Sequence, residues 1–91
     1  MKEDEKLMIL KKDLQLLTSA HDEYLKQLMT LGASLITREG IVLAEDDIES
    51  DMAVVHYAAY LFRKRAGSDT AMPRYLRYEL NNMLFSQKGK A

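Results

Sequence analysis

Apolar side chains recur at helical spacing in four stretches of this chain, which cover about residues 4–17, 20–38, 47–66 and 73–86. Residues three, four and seven positions apart share one face of an α-helix, and an apolar face indicates burial against other helices. The pattern predicts an all-α fold, with one domain over residues 1–91, short connections and a mobile tail over 87–91. The apolar lines behind this prediction are Leu7, Leu10, Leu14 and Leu17; Tyr24, Leu28, Leu31 and Leu35; Ile48, Met52, Val55, Ala59 and Phe62; and Leu76, Leu80, Met83 and Leu84.

Capping residues and glycines mark the expected ends of these helices. Ser19 suits the N-cap of the second helix, and Asp46 or Asp47 suits that of the third, because their side-chain oxygens can accept a hydrogen bond from an unpaired helical N–H. Gly40 suits the left-handed backbone that often follows a helix, and Gly67 ends the third helix. The connections between helices are therefore expected to be short.

The third and last helices each carry a second stripe of side chains, on the side opposite to the predicted core. On the third helix the stripe is Ala53, Tyr57, Tyr60 and Lys64; on the last helix it is Arg74, Tyr78, Asn81 and Phe85, with Arg77 beside them. One helix cannot bury two opposite faces in a single small core. Arginine and aromatic side chains are also enriched in protein interfaces. The sequence therefore predicts that these second stripes form a contact surface.

Composition narrows the possible functions. The chain has 91 residues, 47% of them hydrophobic, a net charge of −1 and no cysteine. These values favour a folded domain without disulfides or zinc–thiolate sites. The net charge makes no demand for nucleic acid or membrane as a partner. The charge is unevenly placed, however, because residues 44–51 hold five acids and no base, whereas residues 52–91 hold seven bases and two acids. We call residues 44–51 the acidic segment.

No stretch of the chain has the spacing of a catalytic or metal site. The acidic segment lacks the glycine and glutamate register of an EF-hand, and helix capping explains its carboxylates more simply. His21 and His56 have no neighbouring ligands in sequence. A triad of Ser19, His21 and Asp22 would lie at one helix start without an oxyanion hole. We expect no enzymatic activity, metal or cofactor.

Two oppositely charged groups of residues are the candidate interface. The acidic group is Glu45, Asp46, Asp47, Glu49 and Asp51; the basic and aromatic group is Tyr57, Tyr60, Arg63, Lys64, Arg65, Arg74, Arg77, Tyr78, Asn81 and Phe85. Opposite charges on different faces of one chain suit a heterologous contact between copies that closes a ring. Two alternatives stay open: the basic group is a solvated face with tyrosines at the core edge, or it is the surface of a small DNA-binding regulator.

A family resemblance covers nearly the whole chain. The sequence MPRYLRYELNNMLFS, preceded by YAAYLFRKR and, earlier, by TSAHDEYL, resembles the phage head–tail connector family. The matching positions of greatest interest are Arg63, Lys64, Arg65, Pro73, Arg74, Arg77, Asn81, Asn82 and Phe85.

The resemblance implies a structural protein of a phage or prophage particle. Its partners would be further copies of itself in a ring, typically twelve-fold, together with the portal protein and the tail or head–tail stopper proteins. The ring would extend the DNA channel, so that any contact with DNA would be electrostatic and independent of sequence. The implied location is the head–tail interface of the virion, after assembly in the host cytoplasm, with no role at a membrane.

Overall fold

A computed structural model describes residues 1–67 and 71–89, and it folds them into four α-helices and no strand. The helices are α1 (Glu3–Leu14), α2 (Asp22–Arg38), α3 (Ile48–Arg65) and α4 (Arg74–Lys88). The prediction of a small all-α fold with four helices is therefore confirmed. Residues 68–70, within the predicted loop after α3, lie outside the described part of the chain.

Helix α3 is the centre of the molecule, because α1, α2 and α4 all pack against it. Val55, Ala58 and Ala59 on α3 are fully buried, and the alanines let neighbouring helices come close. At Gly32 in α2, an added Cβ would lie 3.4 Å from the Cβ of Tyr57. An alanine would make an ordinary van der Waals contact at that distance, so the close approach of α2 and α3 excludes larger side chains at this position rather than a methyl group.

The predicted core faces of α3 and α4 are only partly confirmed. Leu76, Leu80 and Met83 are buried, as their spacing predicts. Ile48 was also placed on a core line, and that prediction is wrong because its side chain is 69% exposed. Ile48 is the first residue of α3.

The helix α1 ends three residues earlier than its leucine pattern predicts. Gln15 adopts a left-handed backbone with φ of 59°, and its N–H bonds back to the carbonyls of Lys11 and Lys12. The chain leaves the helical path there, so Leu17 no longer follows the face of Leu10 and Leu14. Leu17 is 97% exposed, and the prediction that it belongs to the core is wrong.

The caps of α2 and α3 differ from each other. The side chain of Asp47 caps α3 by accepting a hydrogen bond from the N–H of Ser50 at 3.0 Å. Asp47 is one of the two residues, with Asp46, that were predicted for this cap. Ser19 does not cap α2, because that helix begins at Asp22 and the residue at its N-cap, His21, makes no side-chain capping bond. Gly40, with φ of +93°, supplies the left-handed turn after α2.

The C-terminal end of α4 is attached to the rest of the fold. The side chain of Gln87 donates to the carbonyl of Val42 and accepts from the N–H of Val42, both at 2.8 Å. This pair fixes the extended residues next to the buried Ile41. The predicted mobile tail over 87–91 is therefore wrong at Gln87 and Lys88, which belong to α4; residues 90 and 91 lie outside the described chain.

Candidate interaction surface

The acidic segment divides into residues that serve the fold and residues that face outward. Asp47 is engaged as the N-cap of α3, where its carboxylate also accepts from the hydroxyl of Ser50 at 2.9 Å. Asp51 is buried, and its carboxylate lies 3.2 Å from the terminal amine of Met1. Capping, the simpler interpretation, thus accounts for Asp47.

The remaining members of the acidic group are Glu45, Asp46 and Glu49, all of which are exposed. Asp46 has a left-handed backbone with φ of 55°, and its carboxylate lies 3.1 Å from the same terminal amine. A role of these three carboxylates in an interface stays a prediction.

Two of the predicted contact residues are core residues. Tyr57 and Tyr60 are each only 7% exposed, and their rings meet edge to face at 5.9 Å. Burial raises the pKa of the Tyr57 hydroxyl, because the charged phenolate would lose its hydration. The prediction that this stripe of α3 is an outer face is wrong at Ala53, Tyr57 and Tyr60, which are buried, whereas Lys64 at its end is exposed.

The basic end of α3 is held mainly by contacts within the chain. Arg63 donates to the carboxylate and the carbonyl of Asp13, both at 3.2 Å. The guanidinium of Arg65 lies 4.7 Å above the ring of Tyr24, and the ammonium of Lys64 lies 5.9 Å from that of Tyr60. Cations over aromatic faces are attracted by the ring quadrupole. Arg63 and Arg65 thus attach α3 to α1 and α2, whereas the contact of Lys64 lies within α3; Lys64 and Arg65 are still exposed.

Arg77 belongs to the fold rather than to an open surface. Its two guanidinium nitrogens donate to the two carboxylate oxygens of Glu39 at 2.8 and 2.9 Å, and one of them also donates to Asn81 at 3.3 Å. These bonds lower the pKa of Glu39 and raise that of Arg77. The pair joins α4 to the residue that follows α2, so the predicted site residues Arg77 and Asn81 have a structural role.

The outer face of α4, defined by Arg74, Tyr78 and Phe85, agrees with the predicted second stripe of that helix. All three are exposed, Tyr78 by 62% and Phe85 by 67%. They lie opposite the buried Leu76 and Leu80, as a helix that carries two stripes requires. This outer face, together with Lys64 and Arg65, is the exposed part of the predicted basic and aromatic group.

A groove between α3 and α4 adjoins this outer face. Its surface is largely apolar, and its lining consists of Ile48, Glu49, Met52, His56, Tyr75, Tyr78, Glu79 and Asn82. Inside it, the ring nitrogen Nδ1 of His56 lies 2.8 Å from the carboxylate of Glu79, and the ring of Tyr75 meets His56 edge to face at 5.8 Å. We call this feature the α3–α4 groove.

The sequence interpretation missed most of this groove. Tyr75, which is 51% exposed, precedes Tyr78 by three positions, so helical spacing could have placed both on one face. The contact of His56 with Glu79 had no such signal, because 23 positions separate the two residues in sequence. The groove depends on how α4 lies across α3, and periodicity within one helix does not contain that information.

Other kinds of site are not seen in the described residues. Over residues 1–67 and 71–89, no three His, Asp or Glu side chains are grouped so that they could hold a metal ion. No helix in that part of the chain is long and apolar enough to cross a membrane. Comparison with protein-family models, curated proteins and solved structures gives no match.

Proposed function

We propose that this chain is a structural subunit of a phage or prophage particle: a head–tail connector whose copies form a ring beneath the portal and extend the DNA channel. The observation that carries the proposal is the outer face of α4. Tyr78 and Phe85 are more than half exposed, and they lie within the segment MPRYLRYELNNMLFS, on which the resemblance to the connector family is most specific.

The exposed aromatic residues support a protein partner. Large aromatic side chains dominate the energetics of interfaces because each buries a large area on binding. Tyr78 and Phe85 stand seven positions apart on the same face of α4, and the α3–α4 groove continues the apolar surface past Ile48. Contiguous apolar surface of this kind marks interaction sites in folded proteins.

Arg74 adds an electrostatic argument. It is the first residue of α4, and the first turn of that helix contains no acidic residue. A cation at a helix N-terminus is unfavourable because the helix dipole is positive there. Arg74 is exposed and lowers the stability of the fold in this way, which suits a role in binding. An acidic surface, such as Glu45 and Glu49 of another copy, would complement its charge.

A DNA-binding regulator is the less well supported alternative. Its predicted surface needed Tyr57, Tyr60, Arg63 and Arg77, but both tyrosines are buried and both arginines are paired with carboxylates of the same chain. The charged residues at the α3–α4 groove include Glu49 and Glu79, which would repel phosphate. These contacts favour assembly of protein subunits over recognition of DNA.

Removal of the gene tests the proposal. A phage that lacks this chain is expected to produce DNA-filled heads and separate tails, because no ring would join them, and electron microscopy counts the two products. Complementation with the natural chain should restore joined particles, whereas Tyr78→Glu should not. Gln27→Glu, an equal charge change at an exposed position of α2, is the matched control and should restore them.

Two results would contradict the proposal. The first is that joined, infectious particles form in normal numbers without the chain. The second is that the purified chain binds one DNA sequence tightly and selectively, which would favour the regulator instead.

A further inference from the structure

Two exposed apolar surfaces of this chain share no residue. One is the α3–α4 groove. The other, which we call the α1 patch, consists of Met8, Lys12, Leu16 and Leu17 along α1 and the turn that follows it. A protein whose apolar patches are separate and different can use them as the two halves of one contact between copies.

The α1 patch carries two highly exposed apolar side chains. Leu17 is 97% exposed and Met8 is 58% exposed. Leu17 projects because the left-handed Gln15 turns the chain out of α1 before this residue is reached. Its side chain is therefore carried on a turn at the molecular surface, where another molecule can reach it.

The α3–α4 groove offers apolar side chains from two helices. Ile48 and Met52 from α3 face Tyr75 and Tyr78 from α4 across it, so that two apolar walls border a concave surface. Nδ1 of His56 and the carboxylate of Glu79 are bonded to each other at 2.8 Å. An apolar side chain that enters the groove beside this pair can leave the bond between these atoms intact.

The charges around the two surfaces are also complementary. Glu49 lines the groove and is exposed. Lys12 in the α1 patch is exposed, whereas the neighbouring Lys11 is paired with Asp22 at 3.0 Å; Asp4 is the other acid at the patch. A contact that places Lys12 near Glu49 would hold opposite charges at its edge, where they favour correct orientation more than affinity.

We infer that Leu17 and Met8 of one copy dock in the α3–α4 groove of the next copy, and that this contact, which rests on the proposed function, joins adjacent subunits of the ring. The contact is heterologous, because the groove of one copy holds the patch of the next. The two end copies of an open chain of subunits therefore keep one free groove and one free patch until the ring closes. A standard interface buries about 800 Å² on each partner. The accessible surface of this chain is 6007 Å², so it can carry two such contacts.

Cysteine cross-linking tests this contact directly, because the natural chain contains no cysteine. Leu17→Cys and Tyr78→Cys are made separately in the full chain, mixed at high concentration and oxidised, and covalent products are measured by gel and mass spectrometry. The double variant L17C/Y78C is oxidised in parallel. Gln27→Cys replaces Tyr78→Cys in the control mixture, since Gln27 is exposed on α2, outside both surfaces.

The expected result is a mixed dimer of L17C and Y78C, at a yield about tenfold or more above the control mixture, because docking raises the effective concentration of the two thiols. The double variant should give a ladder of higher multimers. Dimers of Y78C alone at that yield would overturn the inference, since they indicate groove-to-groove contact. A mixed yield no higher than the control would also overturn it.

The proposed function has a separate readout. If particles still need the chain to join heads and tails while the cross-link is absent, the contact assigned here is wrong and the connector function stands. If the ladder forms but particles join without the chain, the contact between copies is supported and the connector function fails.

Discussion

The ion pair between Arg77 and Glu39 gives the sharpest test of how the fold is held. Arg77→Ala removes both guanidinium bonds, at 2.8 and 2.9 Å, and leaves the Glu39 carboxylate without these donors. Glu39 directly follows α2, while Arg77 is in α4. The pair is bidentate, because the planar guanidinium group and the planar carboxylate group face each other and form two parallel hydrogen bonds.

The magnitude follows from the exposure of the two side chains. Hydrogen bonds to charged groups contribute about 1.5–3 kcal/mol when they are shielded from water, and exposed ion pairs contribute about 0.2–1 kcal/mol. Arg77 and Glu39 are 39% and 29% exposed, which lies between these cases. We therefore expect Arg77→Ala to lower the free energy of unfolding by about 1–2 kcal/mol, and Tm by about 5–10 °C for a chain of this size.

The pH dependence separates the ion pair from simple packing. The Arg77 bonds lower the pKa of Glu39 below its usual range. Stability from this source is fully present above the pKa of Glu39 in the unfolded chain, and it is lost as the pH falls through the lower folded value. The difference in the free energy of unfolding between the natural chain and Arg77→Ala should be largest near about pH 7 and should shrink below about pH 4.

Urea unfolding followed by circular dichroism at several pH values measures that difference. Arg74→Ala is the control, because Arg74 is exposed and its removal should change stability by less than about 0.5 kcal/mol. An effect of Arg77→Ala that persists undiminished in acid would refute the ion pair as its cause and would point to packing of the arginine stem. No effect at neutral pH would show that the pair contributes nothing.

Other substitutions have equally specific expected outcomes. Arg74→Glu should raise Tm slightly, by the equivalent of about 0.3–1 kcal/mol, because a negative side chain complements the dipole of α4. The same variant should reduce the number of joined particles. A loss of Tm would contradict the assignment of Arg74 to the surface. Asp47→Ala should cost about 1 kcal/mol through loss of the α3 cap, and Asp47→Asn, which retains an acceptor, should cost clearly less in the same urea titration. Gly32→Leu should destabilise by about 1–3 kcal/mol because its side chain would overlap Tyr57; an unchanged thermal melt would show that α2 and α3 are not in close contact. Leu17→Ser should leave Tm within about 1 °C, because Leu17 has no place in the core, and a large loss would show that Leu17 is buried.

Features within one helix were predictable from the sequence. The buried face of Leu76, Leu80 and Met83 follows from a spacing that only a helix brings to one side. The cap at Asp47 and the left-handed turn at Gly40 follow from local backbone chemistry. On α4 the spacing also separated the buried face from the exposed Tyr78 and Phe85.

Features that depend on several helices were not predictable in this way. Periodicity gave α3 two stripes, but it did not show that neighbouring helices cover both, and so Tyr57 and Tyr60 were misplaced. Leu17 continued the leucine spacing of α1, whereas the backbone leaves the helix at Gln15. The partner of Arg77 lies 38 positions away, and no local pattern links the two residues.

The same division explains the candidate interface. The charge asymmetry along the chain indicated an acidic and a basic side, but contacts within the fold engage Asp47, Arg63 and Arg77. The outer face of α4 and the α3–α4 groove are exposed as well, and in them aromatic and aliphatic side chains outnumber charges. A contact at these two surfaces would therefore be more apolar than the charge pattern of the sequence suggested.

Cryo-electron microscopy of the portal vertex of complete particles tests the connector function most directly. If the chain is a connector, the map should contain a closed ring of helical subunits between the portal and the first tail proteins, with density that fits α1 to α4 and with α4 at a subunit boundary. Joined particles in which no copy of this chain lies between portal and tail would contradict the connector function.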